Sequence, residues 1–467
     1  MTEARVVTEA DPAFETEVPV AIIGAGAAGL IAALSCRAEG IEPLVIERDP
    51  VPRGSTSLSA GLIPAAGTRF QRERGIADDA ATFAVDIQRK AHGQADPALV
   101  ALVSRNVAPA IEWLADAHAL PFSVVHDFDY PGHSNRRMHG LPSRSGAELV
   151  DRLRQAAEQA EIPILTEAHV TTLVRDPSGA IRGLVAERPD GSAERIGARA
   201  VVLACCGYGG NKALVRKYIP DLADALYFGH PGNEGEAVLW GEQLGATLRD
   251  MTGHQGHGSV AHPQGILVSW AVIMEGGFQV NLDGDRFWNE SSGYSEAGVA
   301  VLRQREGVAW DIFDARIAGI TRQFEDFRQA EAQGAVITAP TIEELAARTK
   351  LPADRLRASF DAVERQKRAG TRDTFGRDWS RGAPLTAPFC AVRVTGALFH
   401  SQGGLAIDGR ARVRLADGWV VPNLFAAGGA ACGVSGPEAS GYLSGNGLLT
   451  AVALGRIAGR EAAKVAG

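Results

Sequence analysis

The sequence has few cysteines, and their spacing fits neither a disulfide framework nor a metal site. Five cysteines are spread over 467 residues, at Cys36, Cys205, Cys206, Cys390 and Cys432. Small exported domains depend on many paired cysteines, and structural zinc sites need closely spaced cysteine pairs. We therefore expect no bound metal, and a location in the reducing cytoplasm.

The sequence also lacks an excess of basic residues and long apolar runs. It has 47 Lys and Arg against 55 Asp and Glu, which gives a net charge of −8. Nucleic-acid binding requires a basic face. We find no apolar run long enough to span a bilayer, and residues 1–17 lack the basic and apolar segments of a signal peptide. We expect neither a nucleic-acid partner nor membrane insertion.

A strand–turn–helix pattern is present at residues 18–29, with the sequence VPVAIIGAGAAG. Gly24 permits a tight turn, Gly26 leaves room for a pyrophosphate beside the backbone, and Gly29 lets the helix pack close to the strand. Glu47 follows 18 residues after Gly29, at the end of a second apolar run. There its carboxylate would accept hydrogen bonds from a ribose. The combination predicts a dinucleotide-binding α/β domain.

The remaining chain indicates how this domain is divided. Residues 201–207 and 422–428 are apolar runs that end in glycine, and a helix is expected from Gly445. In doubly wound sheets such strand ends face the ligand. The stretch 232–381 carries none of these signatures, and 467 residues exceed what one core usually supports. We expect a discontinuous nucleotide-binding domain at 15–231 and 382–467, with a substrate-capping domain at 232–381.

The chain after Glu47 supplies small and hydroxyl residues, GSTSLSAG at 54–61, instead of a second βα unit. This segment, GFQVNLDGDRFWNE at 277–290, HSQGG at 400–404 and SGNG at 444–447 resemble the flavoprotein subunits of fumarate reductase and succinate dehydrogenase. The resemblance covers nearly the whole chain. It implies an α/β fold with a discontinuous Rossmann-like FAD-binding domain and an inserted α+β capping domain. Covalently flavinylated members carry a histidine near the position of Ser57, so its absence here predicts non-covalent FAD.

The motif and the resemblance together predict a set of FAD-binding residues. They are Gly24, Ala25, Gly26, Ala27, Ala28, Gly29, Glu47, Arg48, Gly54, Ser55, Thr56, Ser57, Ser59, Ala60, Gly61, Val170, Ala204, Cys205, Gly207, Asn211, Gly235, Gly428, Gly429, Ser444, Gly445 and Leu448.

The resemblance also places four side chains in the active site. Soluble fumarate reductases deliver the proton from one arginine and bind the carboxylate with another, and Tyr294 and Tyr442 stand at these positions here. Their two substrate-contacting histidines correspond to His257 and His400, although His254 competes with His257. A phenol does not reproduce the bidentate, charge-assisted contact of a guanidinium with a carboxylate. These replacements favour a ligand with a neutral carbonyl.

The sequence around Tyr442 further resembles the 3-ketosteroid dehydrogenases of the same superfamily. This resemblance implies that Tyr442 and the backbone N–H of Asn446 hold a ketone oxygen, while Tyr294 removes the α-proton and a hydride passes to the flavin. We therefore expect an FAD-dependent oxidoreductase that acts on CH–CH groups by desaturating a cyclic or steroid-like ketone. Its electron acceptor would be oxygen, a quinone or an electron-transfer protein.

The alternative function is that of a fumarate reductase-like reductase or dehydrogenase of a di- or tricarboxylic acid. It requires another cation in place of the missing arginines, and the candidates are Arg136, Arg137, Arg144 and Arg381. Trp270 lies where fumarate-reducing relatives have a proton-relay glutamate, which disfavours this alternative. A third possibility is a flavin-binding protein without turnover.

Overall fold

The computed structural model describes residues 4–126 and 130–467. The chain divides into two compact units. Unit 1 comprises Met1–Pro220, Phe228–His254 and His400–Gly467, and unit 2 comprises Asp221–Tyr227 and Gln255–Phe399. Most of unit 2 is thus one insertion in the sequence of unit 1. The domain ranges 15–231, 232–381 and 382–467 stay a prediction, since they refer to cofactor and substrate binding.

The helices of the described residues are as follows. They are α1 (Ala27–Ala38), α2 (Arg69–Arg72), α3 (Ala80–Lys90), α4 (Pro97–His118), α5 (Gly146–Gln159), α6 (Lys212–Tyr218), α7 (Glu236–Leu244), α8 (Ala271–Met274), α9 (Tyr294–Leu302), α10 (Ala315–Thr321), α11 (Glu325–Ala332), α12 (Ile342–Thr349), α13 (Ala353–Ala369) and α14 (Asn446–Ala466).

The strands lie between these helices. The first are β1 (Arg5–Thr8), β2 (Thr16–Ile23), β3 (Pro43–Ile46), β4 (Ile63–Pro64), β5 (Ser123–Val124), β6 (Met138–Gly140), β7 (Ile164–Leu165), β8 (His169–Arg175), β9 (Ile181–Glu187), β10 (Ala193–Leu203) and β11 (Leu226–Tyr227). The others are β12 (Leu248–Arg249), β13 (His254–Ala261), β14 (Ile266–Leu267), β15 (Phe278–Val280), β16 (Val308–Asp314), β17 (Val336–Ala339), β18 (Phe389–Ser401), β19 (Gly404–Leu405), β20 (Arg412–Arg414) and β21 (Val420–Ala426).

Unit 1 is built on a nine-stranded mixed sheet. Its order is β1-β8-β9-β10-β2-β3-β7, with β21 beside β10 and β20 beside β21. Strands β3, β2, β10 and β21 run parallel, so their carboxyl ends lie at one edge of the sheet. Residues 20–23 and 200–203 are buried, as expected for parallel strands covered on both faces. The predicted α/β fold is confirmed.

Helices α1 and α14 pack closely on each other in unit 1. A Cβ atom on Gly455 would lie 2.6 Å from the carbonyl oxygen of Ala28, and one on Gly459 would lie 2.2 Å from that of Ala32. No larger side chain fits at either position without moving a backbone. The N- and C-terminal parts of the chain therefore share one hydrophobic core.

Unit 2 has its own core around a seven-stranded sheet. The order is β14-β13-β18-β16-β15, and β11 and β17 also pair with β18. The long strand β18 therefore joins most of the unit. Buried aromatic residues, including Phe278, Phe313 and Phe327, fill the space between this sheet and the surrounding helices.

Helix α4 is the one described helix that is long and apolar enough to cross a membrane by length and composition. Its best window has a mean hydropathy of 1.3. Nine of its residues are buried, and Val103, Val107 and Ile111 belong to the hydrophobic core of unit 1. Core helices of compact domains pass the same composition test.

Candidate active site

The turn between β2 and α1 is shaped by its three glycines. Gly24 has a φ of +104°, and a Cβ atom there would lie 2.6 Å from the Ala204 carbonyl oxygen. A Cβ on Gly29 would lie 1.8 Å from the carbonyl oxygen of Gly24. At Gly26 the added atom would meet only the Thr56 hydroxyl, at 3.4 Å. The backbone is thus open to a ligand at Gly26 and tightly packed on either side of it.

Two side chains fix this turn from outside. One Glu47 oxygen accepts the N–H of Ala25 at 2.8 Å, and the other accepts the N–H of Asp49 at 3.0 Å. Burial raises the pKa of the Glu47 carboxyl above its ordinary value. The Thr56 hydroxyl accepts the N–H of Ala27 at 3.0 Å. Glu47 lies directly after β3, where the sequence places the ribose-binding carboxylate.

All the predicted FAD-binding residues lie in unit 1. Ala204, Cys205 and Gly207 follow β10, whereas Gly428 and Gly429 follow β21. The remaining positions lie at the following places: Arg48 after β3, Gly54–Gly61 in and beside a short 3₁₀ turn, Val170 on β8, Asn211 before α6, Gly235 before α7, and Ser444, Gly445 and Leu448 at the start of α14.

This arrangement fits an extended dinucleotide. The parallel strands end at one edge, and the glycines there have little side-chain bulk. The Ser55 hydroxyl accepts the N–H of His230 at 3.0 Å and the amide of Asn233 at 2.7 Å, so the segment after β3 is fixed in place. Each predicted contact with FAD nevertheless stays a prediction.

The cysteines act as small packing residues. All five are free, and burial raises the thiol pKa of Cys205 and Cys206 above the ordinary value. Raised thiol pKa values oppose nucleophilic or metal-binding roles, which need the thiolate. Within residues 4–126 and 130–467 there is no cluster of three His, Cys, Asp or Glu residues suited to a metal ion.

Tyr442 and His400 form the candidate catalytic pair of unit 1. Their ring centroids lie 5.4 Å apart in an edge-to-face arrangement. The backbone N–H groups of Gly445 and Gly447 interact with the Tyr442 hydroxyl, at the N-terminus of α14. A Cβ on Gly447 would lie 3.0 Å from the His400 ring. The phenol, the imidazole and the helix N-terminus therefore lie close together.

Burial keeps this pair uncharged. It raises the pKa of the Tyr442 phenol and lowers the pKa of His400 to about 4. The Gln402 amide nitrogen lies 3.1 Å from Nδ1 of His400, and the Gln402 amide oxygen accepts the Ser435 hydroxyl at 2.7 Å. Near neutral pH both rings therefore act as neutral hydrogen-bonding groups.

The predicted role of Asn446 stays a prediction, and its N–H has an acceptor within the protein. Its backbone N–H donates to the carbonyl of Leu443 at 3.0 Å, and its side-chain amide donates to the hydroxyl of Ser435 at 2.9 Å. The N–H expected to hold a ketone oxygen is therefore already used within the turn that starts α14. The physical reason is that the carbonyl oxygen of Leu443, in the turn before α14, accepts the first N–H of the helix.

His257 and Tyr294 form the candidate pair of unit 2. Their rings stack with centroids 5.1 Å apart and an interplanar angle of 22°. Nδ1 of His257 accepts the N–H of Ser259 at 3.0 Å, which leaves the proton of the neutral ring on Nε2. Burial lowers the pKa of His257 to about 3. Tyr294 is the first residue of α9, directly after Gly293.

His254, the competitor of His257, lies in unit 1. Its Nδ1 is 2.8 Å from the carbonyl oxygen of Thr252. The two histidines therefore belong to different units, although they are only three residues apart in strand β13.

Two further functional candidates, Phe399 and Ser259, emerge only from the structure. Phe399 also stacks with His257, with ring centroids 5.2 Å apart, and Trp270 lies edge-to-face with His257 at 5.7 Å. Ser259 also donates its hydroxyl to the buried carboxylate of Asp311. The sequence offered two weak signals: Phe399 precedes His400, and Ser259 lies two residues after His257 on one strand.

Arg137, one of the alternative carboxylate-binding candidates, is not available as a free cation. It is buried and pairs with Asp78 at 2.9 Å and with Asp86 at 2.6 Å. The neighbouring Arg136 donates to the carbonyl oxygen of His126. Both guanidinium groups therefore hold unit 1 together.

Comparison with known proteins extends over the whole molecule. The family described as FAD binding domain matches residues 19–448. Probable fumarate reductase Ifc3 of Shewanella frigidimarina (strain NCIMB 400) is 30% identical over 455 residues, which is 97% of this chain and 76% of that protein. Urocanate reductase of Eggerthella lenta is 26% identical over 472 residues, which is 99% of this chain and 77% of that protein.

Solved structures agree in fold. The open conformation of a flavocytochrome c3 fumarate reductase is 29% identical with a TM-score of 0.81, covering 97% of this chain and 79% of that one. The 3-ketosteroid-Δ4-(5α)-dehydrogenase of Rhodococcus jostii RHA1 has a TM-score of 0.77 and covers 99% of both chains, but its identity is 24%. This second likeness concerns the fold alone.

The fold and the site thus define an FAD-dependent oxidoreductase that acts on CH–CH groups. The chain belongs to the FAD-binding-domain family of the fumarate reductase and succinate dehydrogenase flavoprotein superfamily. The predictions of the superfamily, of FAD as cofactor and of the enzyme class are confirmed.

The predicted ketone desaturation is wrong. The relatives at 26–30% identity are named as fumarate and urocanate reductases, whereas ketosteroid dehydrogenases share only the fold. The error came from the two tyrosines at arginine positions, which we interpreted as evidence for a neutral ketone. That interpretation also depended on the backbone N–H of Asn446, which donates to the carbonyl oxygen of Leu443 in this structure.

Proposed function

We propose that the protein reduces the carbon–carbon double bond of an α,β-unsaturated carboxylic acid, which includes the di- and tricarboxylic acids of our alternative. The proposal rests on one observation, the 26–30% identity to fumarate and urocanate reductases over 97–99% of the chain. FAD, once bound and reduced, would supply a hydride to the carbon β to the carboxyl group. The protein supplies the proton for the α-carbon.

Carboxylate binding is assigned to Tyr442, His400 and the N-terminus of α14. A phenol and a neutral imidazole donate hydrogen bonds without a charge. The positive end of the helix dipole stabilises a nearby anion, and α14 is 21 residues long. These groups are close together in unit 1, as the ring and backbone contacts support. They replace the missing arginine with weaker, neutral donors.

Proton delivery is assigned to Tyr294. It stands at the position of the family's proton-donating arginine, four residues after Glu290. A phenol near its ordinary pKa is protonated at neutral pH and can act as a general acid. The stack on His257 fixes the direction of the Tyr294 ring. His257 is a positioning residue in this proposal.

FAD binding is assigned to the predicted residues of unit 1, with Glu47 on the ribose and the Gly24–Gly29 turn on the pyrophosphate. The open side of Gly26 supports this assignment. Reduction of a double bond consumes two electrons, and we assign their delivery to an external electron donor.

The test is an anaerobic assay with reduced methyl viologen and purified holoenzyme. Fumarate, urocanate, acrylate and tricarboxylic aconitate are offered separately, with 4-androstene-3,17-dione and an oxidising dye as the contrasting reaction. We expect viologen oxidation with at least one acid and formation of its saturated product. If the steroid ketone is oxidised and none of the acids is reduced, the proposal is contradicted.

A further inference from the structure

Three buried polar side chains of unit 1 lead from the start of α14 to His400, and we call them the amide chain: Asn446, Ser435 and Gln402. The Asn446 amide donates to the Ser435 hydroxyl at 2.9 Å, and that hydroxyl donates to the Gln402 amide oxygen at 2.7 Å. The amide nitrogen of Gln402 lies 3.1 Å from Nδ1 of His400. Asn446, Ser435 and Gln402 are at most 5% exposed, so these hydrogen bonds are shielded from solvent.

Each link of the amide chain restricts the direction of the next one. The Ser435 hydroxyl accepts the Asn446 amide, and its single proton is then available for the Gln402 oxygen. An amide that accepts through its oxygen has only N–H donors at its other end. Gln402 therefore presents an N–H to His400, and Nδ1 of His400 must be the acceptor.

The opposite direction is less favourable because of Asn446. The Asn446 amide oxygen is buried and has no hydrogen-bond partner among the described residues, whereas its amide nitrogen has one. Turning this amide over would leave both of its N–H groups without an acceptor. Buried N–H groups without a partner are rarer in proteins than carbonyl oxygens with unused lone pairs. Asn446 therefore sets the direction of the whole chain.

The carbonyl oxygen of Ser401 competes with Gln402 for Nδ1 of His400. It lies 3.3 Å from Nδ1, which is longer than an ordinary N–H···O hydrogen bond. Burial keeps His400 neutral by lowering its pKa to about 4. A neutral imidazole that accepts at Nδ1 carries its one proton on Nε2.

Nε2 of His400 lies beside the first turn of α14. A Cβ atom on Gly447 would be 3.0 Å from it, so the glycine leaves room for this nitrogen. Within the part of the chain that the structure describes, Nε2 has no hydrogen-bond partner. An N–H at this place adds to the positive end of the helix dipole, whereas a lone pair there would repel an anion.

We propose that Gln402, Ser435 and Asn446 are positioning residues that hold His400 in the Nε2–H tautomer, so that His400 donates to the substrate carboxylate. They act through His400 and need no contact with the substrate. This inference rests on the proposed reductase function for the identity of the ligand. It adds three residues that determine whether His400 attracts or repels that ligand.

The first test determines the tautomer directly. Oxidised holoenzyme with isotope-labelled histidine is measured by two-bond proton–nitrogen correlation NMR, above the ordinary histidine pKa of about 6.5. The His400 signals are those lost in His400→Asn. We expect the wild type to have a protonated Nε2 and an unprotonated Nδ1. In Gln402→Glu both side-chain oxygens are acceptors, so Nδ1 of His400 should become protonated.

The control for the added charge is Gln333→Glu. Gln333 is an exposed residue of unit 2, after α11, and the variant should leave the His400 signals unchanged. A purely structural role of Gln402 would not move the proton from one ring nitrogen to the other.

The second test connects the tautomer with binding. Gln402→Met removes the amide without adding charge, which leaves the Ser401 carbonyl as the described hydrogen-bonding group beside Nδ1. Dissociation constants for fumarate, urocanate and acrylate are measured by calorimetry with oxidised holoenzyme. For each acid that binds the wild type, Gln402→Met should raise the dissociation constant about tenfold, and Gln333→Met should leave it within about twofold. Retained FAD and an unchanged melting temperature show that the variants are folded.

The two tests separate this inference from the proposed function. If the wild type has the Nε2–H form and Gln402→Glu protonates Nδ1, but no acid binds or is reduced, the tautomer assignment is retained and the reductase proposal fails. If Nδ1 is protonated in the wild type or stays unprotonated in Gln402→Glu, the inference is wrong, and acid reduction is unaffected. Equal binding of an acid by wild type and Gln402→Met would also overturn it.

Discussion

Unit 1 forms its candidate site mainly from backbone, whereas unit 2 forms its candidate site from aromatic side chains. In unit 1, Gly24, Gly26 and Gly29 are required by close packing or by open space around the main chain. In unit 2, the candidate site depends on the stacking of His257 with Tyr294 and Phe399. A cofactor site made of backbone constrains the sequence strictly. A site made of rings permits a change of substrate without a change of fold.

This contrast explains how the family relationship and the altered site fit together. FAD binding requires glycines at fixed spacing, and those glycines are present. The tyrosines at the two arginine positions change the chemistry offered to the substrate, while the fold still resembles a flavocytochrome c3 fumarate reductase with a TM-score of 0.81. The two units can therefore be tested separately.

The largest effect is expected from Gly29→Ala in unit 1. The new Cβ would lie 1.8 Å from the carbonyl oxygen of Gly24, so the β2–α1 turn must move. We expect the purified protein to lose most of its FAD, measured as flavin absorbance per protein, and to lose about 3 kcal/mol of stability or more. Gly409→Ala is the control, since nothing lies within 4 Å of its added Cβ.

A tyrosine variant in each unit should lower turnover without loss of FAD. Tyr442→Phe removes a donor assigned to the substrate, and Tyr294→Phe removes the assigned acid. We expect each to lower kcat about a hundredfold, measured with reduced methyl viologen and the best acid. Tyr218→Phe is the control, because its hydroxyl donates to the surface residue Glu242 at 3.1 Å and belongs to neither candidate pair. Normal turnover in either site variant would exclude that residue from its role.

Acid should weaken unit 1 more than unit 2. Burial lowers the pKa of His133, His139 and His400 in unit 1 to about 4, and that of His257 in unit 2 to about 3. Below the ordinary histidine pKa of about 6.5 the unfolded chain binds protons that the folded chain does not. The free energy of unfolding therefore decreases as the pH is lowered. At about pH 5 each of these histidines lowers the free energy of unfolding by about 2 kcal/mol.

Buried carboxyl groups with a raised pKa work in the opposite direction: Asp311 and Asp326 in unit 2, and Glu47 and Asp250 in unit 1. Burial raises the pKa of Asp311 to about 7, so its contribution to stability is lost as the pH rises above the ordinary Asp value. Acidification therefore favours the folded state at Asp311 and offsets His257. Hydrogen exchange, corrected for the intrinsic rate, should show unit 1 losing more protection than unit 2 between about pH 7 and about pH 5. Equal losses in both units would contradict this difference.

The fold of unit 1 was largely predictable from the sequence. The spacing of Gly24, Gly26, Gly29 and Glu47 is typical of the strand–turn–helix unit that binds dinucleotides, and few other structures require it. The apolar runs before Gly207 and Gly428 indicated the parallel strands beside it. These signals are local in sequence, and so they can be recognised without the structure.

The packing of aromatic rings around His257 was not predictable in the same way. Phe399 and Tyr294 are separated by more than a hundred residues, and both stack with His257 because β18, β13 and α9 are packed together. The sequence also could not show that the N–H of Asn446 is used by Leu443. Long-range packing and hydrogen bonding decide such details, and a substitution at a family position does not reveal them.

A single-turnover experiment tests the central claim most directly. Holoenzyme is reduced anaerobically with one equivalent of dithionite and mixed in deuterated water with 4-hydroxycinnamate, urocanate or fumarate. We predict that the flavin absorbance returns and that one equivalent of saturated acid forms, with one deuterium on the α-carbon. A flavin that stays reduced with all three acids, together with an oxidised enzyme that is bleached by a cyclic ketone, would contradict the account.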